Sequence, residues 1–188
     1  MASVYAIDPT GGGMPMMATG SIKPDWTFEV KGLAGRRLLL VNGLPTGWTL
    51  RAVHVDGTDV VDTSLEVKTG QEVSDIDVIM TNRVTEVSGS VQDAKGTAVA
   101  DFAVVVFPTD SQRWGFQSRY VRVARPDQTG RFQIRGLPPG SYVAAALEYL
   151  EPGEETNPEF LERLKSLGTS LRLDEAEKKA LMLKLASQ

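Results

Sequence analysis

The sequence predicts an all-β chain. It reads as two tandem antiparallel β-sandwich domains, residues 1–82 and 83–188, with one short helix inserted in the second at 157–167. Three observations predict it. The phrase QTGRFQIRGLPPGSYVAAAL at 128–147 has a worn copy, DWTFEVKGLAGRRLLLV, at 25–41. A second pair of phrases, LEVKTGQEVSDIDVIM at 65–80 and LRLDEAEKKALMLKL at 171–185, follows in the same order. Short alternating apolar runs are separated throughout by Gly, Pro and Asp turn signals, as in a sandwich.

Each element has a local reason. Phe132 and Ile134 alternate with Gln133 and Arg135, the period of a half-buried strand. GLPPG at 136–140 breaks that strand, because two prolines fix φ and the flanking glycines allow reversal. Tyr142 then opens a second, apolar strand. In the first copy Phe28 and Val30 take the places of Phe132 and Ile134. Gly32 and Leu33 match Gly136 and Leu137, AG replaces PPG, and Leu38 falls near Val143. The second pair of phrases reads as strand, polar turn, strand, with Ile76, Val78 and Met80 answering Leu181, Leu183 and Leu185. DEAEKKALMLKLA is also good helix material; the repeat argues for strands. The second domain opens with VTEVSGSVQDAKGTAVADFAVVVFP: a strand, a turn at 94–96 and an apolar strand at 102–107. RYVRVAR adds another strand.

SVYAID is the counterpart of FAVVVFP, and MMATGSI that of RYVRVA, but nothing in the first repeat matches EVSGSVQDAKG. The chain is therefore expected to begin inside a domain. The missing strand predicts an exposed edge near SVYAID, covered either by the connector PTGGGMPMM or by a second copy in a homodimer formed through the first domain. The helix is predicted from Asn157 as N-cap, Pro158 at the first position, Glu159 in the first turn, an apolar face of Phe160, Leu161, Leu164 and Leu167, and Gly168 at its end.

Composition narrows the function classes. The chain has 188 residues, 41% of them hydrophobic, and a formal charge of -4, which argues against nucleic acid as a partner. It contains no apolar run of membrane-spanning length and no signal-peptide pattern. There is no cysteine and one histidine, His54, so thiolate and histidine-cluster metal sites are excluded. Neither a phosphate-cradling loop nor a GxSxG elbow is present.

SGSVQDAKGTAVADFAVVVFP, RPDQTGRFQIRGLPPGSYVAAAL and the closing LRLDEAEKKALMLKL resemble the carboxypeptidase regulatory-like domain family. The resemblance covers nearly all of 84–188 and, more faintly, 17–82. It implies a transthyretin-like, Ig-like β-sandwich. It further implies an accessory module of the kind that recurs in bacterial extracytoplasmic proteins, periplasmic or secreted. The family often carries a similar DP-FL insert; a Trp commonly follows its GE, where this chain has Glu155. The fold is also similar to that of starch-binding domains, an analogy rather than a site argument.

Candidate site residues follow. SQRWGFQSRY gathers Arg113, Trp114, Phe116 and Tyr120 around a glycine, an arrangement able to stack on a sugar ring. The alternative is that Trp114 caps the end of the sandwich. Trp26, at a strand start, and Trp48, after LPTG, are also ligand candidates, although packing at the core or an edge outweighs stacking for both. Glu148, Glu151, Glu154 and Glu155 form an acidic cluster. Glu151, Glu154 and Glu155 are oxygen donors for Ca²⁺, but calcium-loop spacing is absent and a solvated acidic face is the better reading. Asp101 and Asp110 join the four glutamates as candidates for a glycosidic carboxylate pair. His54 reads as a surface or edge-strand residue.

The favoured function is an extracytoplasmic module binding carbohydrate of the α-glucan class, or a partner protein. The alternatives are a small enzyme that hydrolyses or transfers α-glucan, and a structural assembly module. No organic cofactor is expected, and Ca²⁺ is the one ion considered.

Overall fold

A computed structural model describes residues 2–10, 18–115 and 117–186. The chain divides into two compact units, Met1–Asn82 and Arg83–Gln188. In the first unit β1 (Ser3–Ile7), β2 (Ala18–Ser21), β3 (Gly35–Asn42) and β6 (Leu65–Val67) form one sheet in the order β2-β1-β3-β6. β4 (Thr49–Val55), β5 (Thr58–Asp59) and β7 (Ile76–Thr81) form another in the order β5-β4-β7. Ala6 pairs with Leu39 across β1 and β3, and both meet Val53 and Val61 in the core. β4 and β5 are joined at Asp56-Gly57, both at positive φ (51° and 74°), the tight hairpin that Asp-Gly favours. The Asp59 carboxylate accepts the Val53 and Val61 amides at 3.3 and 3.1 Å, so turn chemistry accounts for this aspartate.

The second unit holds β8 (Glu86–Gln92), β9 (Ala98–Val99), β10 (Ala103–Pro108), β11 (Arg122–Ala124), β12 (Arg131–Arg135), β13 (Gly140–Leu147), α1 (Pro158–Lys165), β14 (Thr169–Leu173) and β15 (Lys178–Lys184). One sheet runs β11-β10-β13-β14, and the other β12-β8-β15 with β9 beside β8. Phe132, Ile134, Leu137 and Tyr142 are buried together between the sheets with Val87, Val91 and Leu183. The outer face of β10 and β13 is covered as well: Ala103, Val105, Phe107, Val143 and Ala145 pack against Phe160, Leu161 and Leu164 of the helix. Double coverage is why β10 is apolar at every position rather than alternating.

The structure corrects four details. β15 pairs with β8 in parallel, so the second unit is not purely antiparallel: the last strand reaches β8 by crossing between sheets. The helix ends at Lys165, and Leu167 is exposed rather than part of its apolar face. Gly168 does terminate the helix, its amide bonding the Leu164 carbonyl at 2.9 Å, but it is required by close packing, since a Cβ there would collide with Val143. The strand expected at Phe28–Val30 is absent. Its counterpart β12 pairs only with β8, and among the described residues the first unit has no strand in the β8 position.

The turn before β12 is nevertheless reproduced. The Gly130 amide donates to the Asp127 carbonyl (3.0 Å) and the Asp127 amide to Arg131 (2.8 Å). The Trp26 amide donates to Lys23 (2.9 Å) and the Lys23 amide to Thr27 (2.8 Å). Trp26, at φ 65°, thus stands where Gly130 supplies a φ of 72°.

Candidate binding groove

The aromatic loop of the second unit packs inward. Trp114 is 3% exposed; its indole N–H donates to the Pro108 carbonyl at 2.7 Å, its ring meets Phe107 edge-on at 5.8 Å, and Lys165 lies over its face at 5.0 Å. Of the two roles open to Trp114, the packing it makes is that of a cap, and its ring is not offered to a ligand. Tyr120 is also buried, in the cluster between the sheets rather than with Trp114, and has Arg113 over its ring at 4.5 Å. Arg113 also pairs with Asp110 at 3.4 Å. Phe116 lies outside the described residues.

The carboxylates serve separate turns. Glu154 accepts the Glu151 amide and Glu155 the Gly153 amide, each at 3.0 Å, closing the loop before the helix. Asp110 accepts the Gln112 amide at 3.1 Å. Glu148, Glu151 and Asp101 are exposed. Among the described residues no group of three or more His, Asp or Glu side chains could hold a metal ion, and no helix is long and apolar enough to cross a membrane.

The other two tryptophans are the exposed ones. Trp48 is 45% exposed and Trp26 76% exposed, against the expectation that packing would dominate at both. Trp26 stands at the rim of a groove of about 310 Å³ in the first unit. It is lined by Val4, Ile22, Trp26 and Phe28 together with consecutive residues of β7, Ile76 to Met80. Because neighbouring strand residues point to opposite faces, an unbroken run means the groove looks at the edge of β7. No residue of β4 lines it, so this edge is the one facing away from β4.

Among the described residues β7 has no strand beside it on the side away from β4, whereas the strand of SVYAID is not at an edge. β1 is paired on both sides, by β2 and β3. The exposed edge expected near SVYAID is therefore absent, because β2 and β3 flank β1.

The turn that presents Trp26 is held firmly. The Asp25 carboxylate accepts the Thr27 hydroxyl at 2.7 Å and the Thr27 amide at 3.1 Å. Those bonds, the hydroxyl's first, lower its pKa below the usual carboxylate range. A bulky residue at positive φ is a steric outlier, and here it occupies the position that the parallel turn gives to glycine.

These features define a chain of two β-sandwich units, the first with β7 unpaired on one side of its groove among the described residues. The family model of the carboxypeptidase regulatory-like domain matches residues 86–154, within the second unit. No curated protein sequence matches the chain. Among solved structures the chain is similar to a candidate carbohydrate-binding protein from Pseudomonas aeruginosa, with 15% identity, 53% of this chain and 87% of that one covered, and a TM-score of 0.34. It is also similar to a minor pilin from Streptococcus agalactiae (13% identity, 97% and 80% covered, TM-score 0.34). A shaft pilin from Lactobacillus rhamnosus GG matches at 10% identity, with 100% and 94% covered and a TM-score of 0.36.

Proposed function

We propose that this protein is a non-catalytic binding module that holds a partner polypeptide in the groove of its first unit. The observation that supports this reading is the edge of β7 facing Phe28 and Trp26 across an apolar groove. A strand edge offers a row of backbone N–H and C=O groups, which an extended chain satisfies and a compact apolar ligand does not. Ile22, Phe28, Ile76, Val78 and Met80 supply side-chain area for alternate residues of such a chain. The candidate carboxylates all lie in the second unit, where Asp110, Glu154 and Glu155 are spent on turns, and they lend no support to glycosidic chemistry.

A second reading has its own observation. Trp26 is a broad exposed ring in the same groove as Asp77, and a ring with an acceptor in one groove suits the apolar face and hydroxyls of an α-glucan.

Selection of a displayed random peptide library on the full chain, with maltooligosaccharide titrations in parallel, tests both. The expected result is a set of peptides whose binding is lost on Phe28→Asp and Trp26→Ala, and no heat from the sugars. Peptides indifferent to both substitutions, or sugar binding that disappears on Trp26→Ala, would overturn the polypeptide reading.

A further inference from the structure

The second unit shows what a filled groove looks like. There β8 lies between β12, antiparallel to it, and β15, parallel to it. Two registers meet on one residue: Gly89 is the partner of Phe132 in β12 and of Leu181 in β15. The glycine is required, since a Cβ at this position would collide with the Leu181 carbonyl oxygen and crowd the Phe132 ring. Two residues to either side, Val87 and Val91 are fully buried, opposite Ile134 and Leu183 respectively.

In the first unit the sequence repeat puts Phe28 at the place of Phe132, Val30 at Ile134, Ile76 at Leu181 and Val78 at Leu183. Phe28 and Ile76 both line the groove. Val30 and Ile76 also pack against the core cluster, so the two flanks are anchored to the same unit. In the second unit the residues matching those flanks have β8 between them.

We infer that the groove accepts a β-strand from a partner polypeptide, running parallel to β7, with a small residue between Phe28 and Ile76 and apolar residues two positions before and after it. This rests on the polypeptide reading above and adds direction, register and sequence pattern. The earlier apolar residue faces Val30 and the later one Val78. The polar residues between them point to solvent, as Ser88 and Ser90 do in β8, where both are half-exposed. β8 itself, EVSGSVQ, is the internal template for that pattern.

The test uses the full chain and a synthetic peptide of residues 84–94, VTEVSGSVQDA. Amide hydrogen exchange is followed at 76–80 and 27–31 as peptide is added. Saturable protection of both segments is expected, lost on Phe28→Asp. A peptide with valine in place of its central glycine should bind about tenfold more weakly or worse. Equal binding of the glycine and valine peptides would overturn the register while leaving the polypeptide reading intact. Failure of any peptide to protect these segments, with protection by maltooligosaccharide instead, would overturn both. Protection of 76–80 without peptide, rising with protein concentration, would show that a second copy is the occupant and overturn the partner-strand proposal. Protection without peptide at every concentration would show that the chain covers its own edge and overturn it equally.

Discussion

At the scale of single residues the three tryptophans divide by burial rather than by the company they keep in sequence. Trp114, set among aromatic and basic neighbours, is enclosed and hydrogen-bonded. Trp114→Ala is expected to destabilise the second unit by about 3–5 kcal/mol in denaturant melts, as for other buried large-to-small changes. Trp26, in a polar turn, has most of its ring in solvent, and Trp26→Ala should move stability by about 0.5 kcal/mol or less. Trp26→Gly separates strain from function: glycine fits the left-handed backbone, so stability should hold or rise by about 1 kcal/mol while groove binding is lost. A marked loss of stability in Trp26→Gly would show that the ring is a packing element. Tyr142 gives a pH test. Burial, the main cause, pushes its phenol pKa far above the ordinary 10, while its hydroxyl donates to the Pro138 carbonyl at 2.6 Å. The unfolded phenol ionises first, so this contribution to stability is complete below about pH 10 and falls as pH rises beyond it. Tyr142→Phe should flatten the alkaline limb of a stability–pH curve; an unchanged limb would assign that limb to other groups.

At the scale of elements, sequence read best at the closing strand. DEAEKKALMLKLA has helix propensity, yet Lys178–Lys184 is a strand, because β8 offers it a full ladder and β14 leads into it through a tight turn at positive-φ Ala176. The same logic failed at Phe28–Val30. Alternation there matches β12, but a strand needs a neighbour, and β8 has no counterpart among the described residues of the first unit. The groove residues of β7 were legible as a strand and not as a site, since nothing local in IDVIM distinguishes a paired edge from an open one. The one local mark was Trp26 in a glycine position, visible only after the two turns are superposed in sequence. The inserted helix was legible through its cap: Asn157 accepts the Glu159 and Phe160 amides at 2.9 and 3.3 Å. Asn157→Ala should cost about 1 kcal/mol in thermal melts. Gly168→Ala should cost about 1–3 kcal/mol, because its Cβ would overlap Val143 and the Ala144 carbonyl is adjacent. A neutral Gly168→Ala would mean that the segment after the helix can shift away from β13.

At the scale of the whole molecule the two units have unequal cores. The second has buried clusters of fifteen and eleven residues on the two faces of one sheet, whereas the buried cluster of the first, among the described residues, has four. Apolar burial is the main favourable term in folding, so the first unit should be the weaker. It also carries the left-handed Trp26 and, among the described residues, a β7 unpaired on one side. The full chain should therefore unfold in two steps rather than one, with exchange at β4 and β7 outrunning that at β8, β10 and β13. A strand that binds the folded first unit and not its unfolded form then stabilises that unit alone, by about 2.7 kcal/mol when the free peptide is at a hundred times its Kd. For a unit of this size such a gain raises the lower melting transition by about 10–20 °C and leaves the upper one where it was. Calorimetry of the full chain with and without the β8-sequence peptide checks this. A single transition unmoved by peptide would mean that the first unit is already complete, while a rise in the upper transition would place the peptide on the second unit instead.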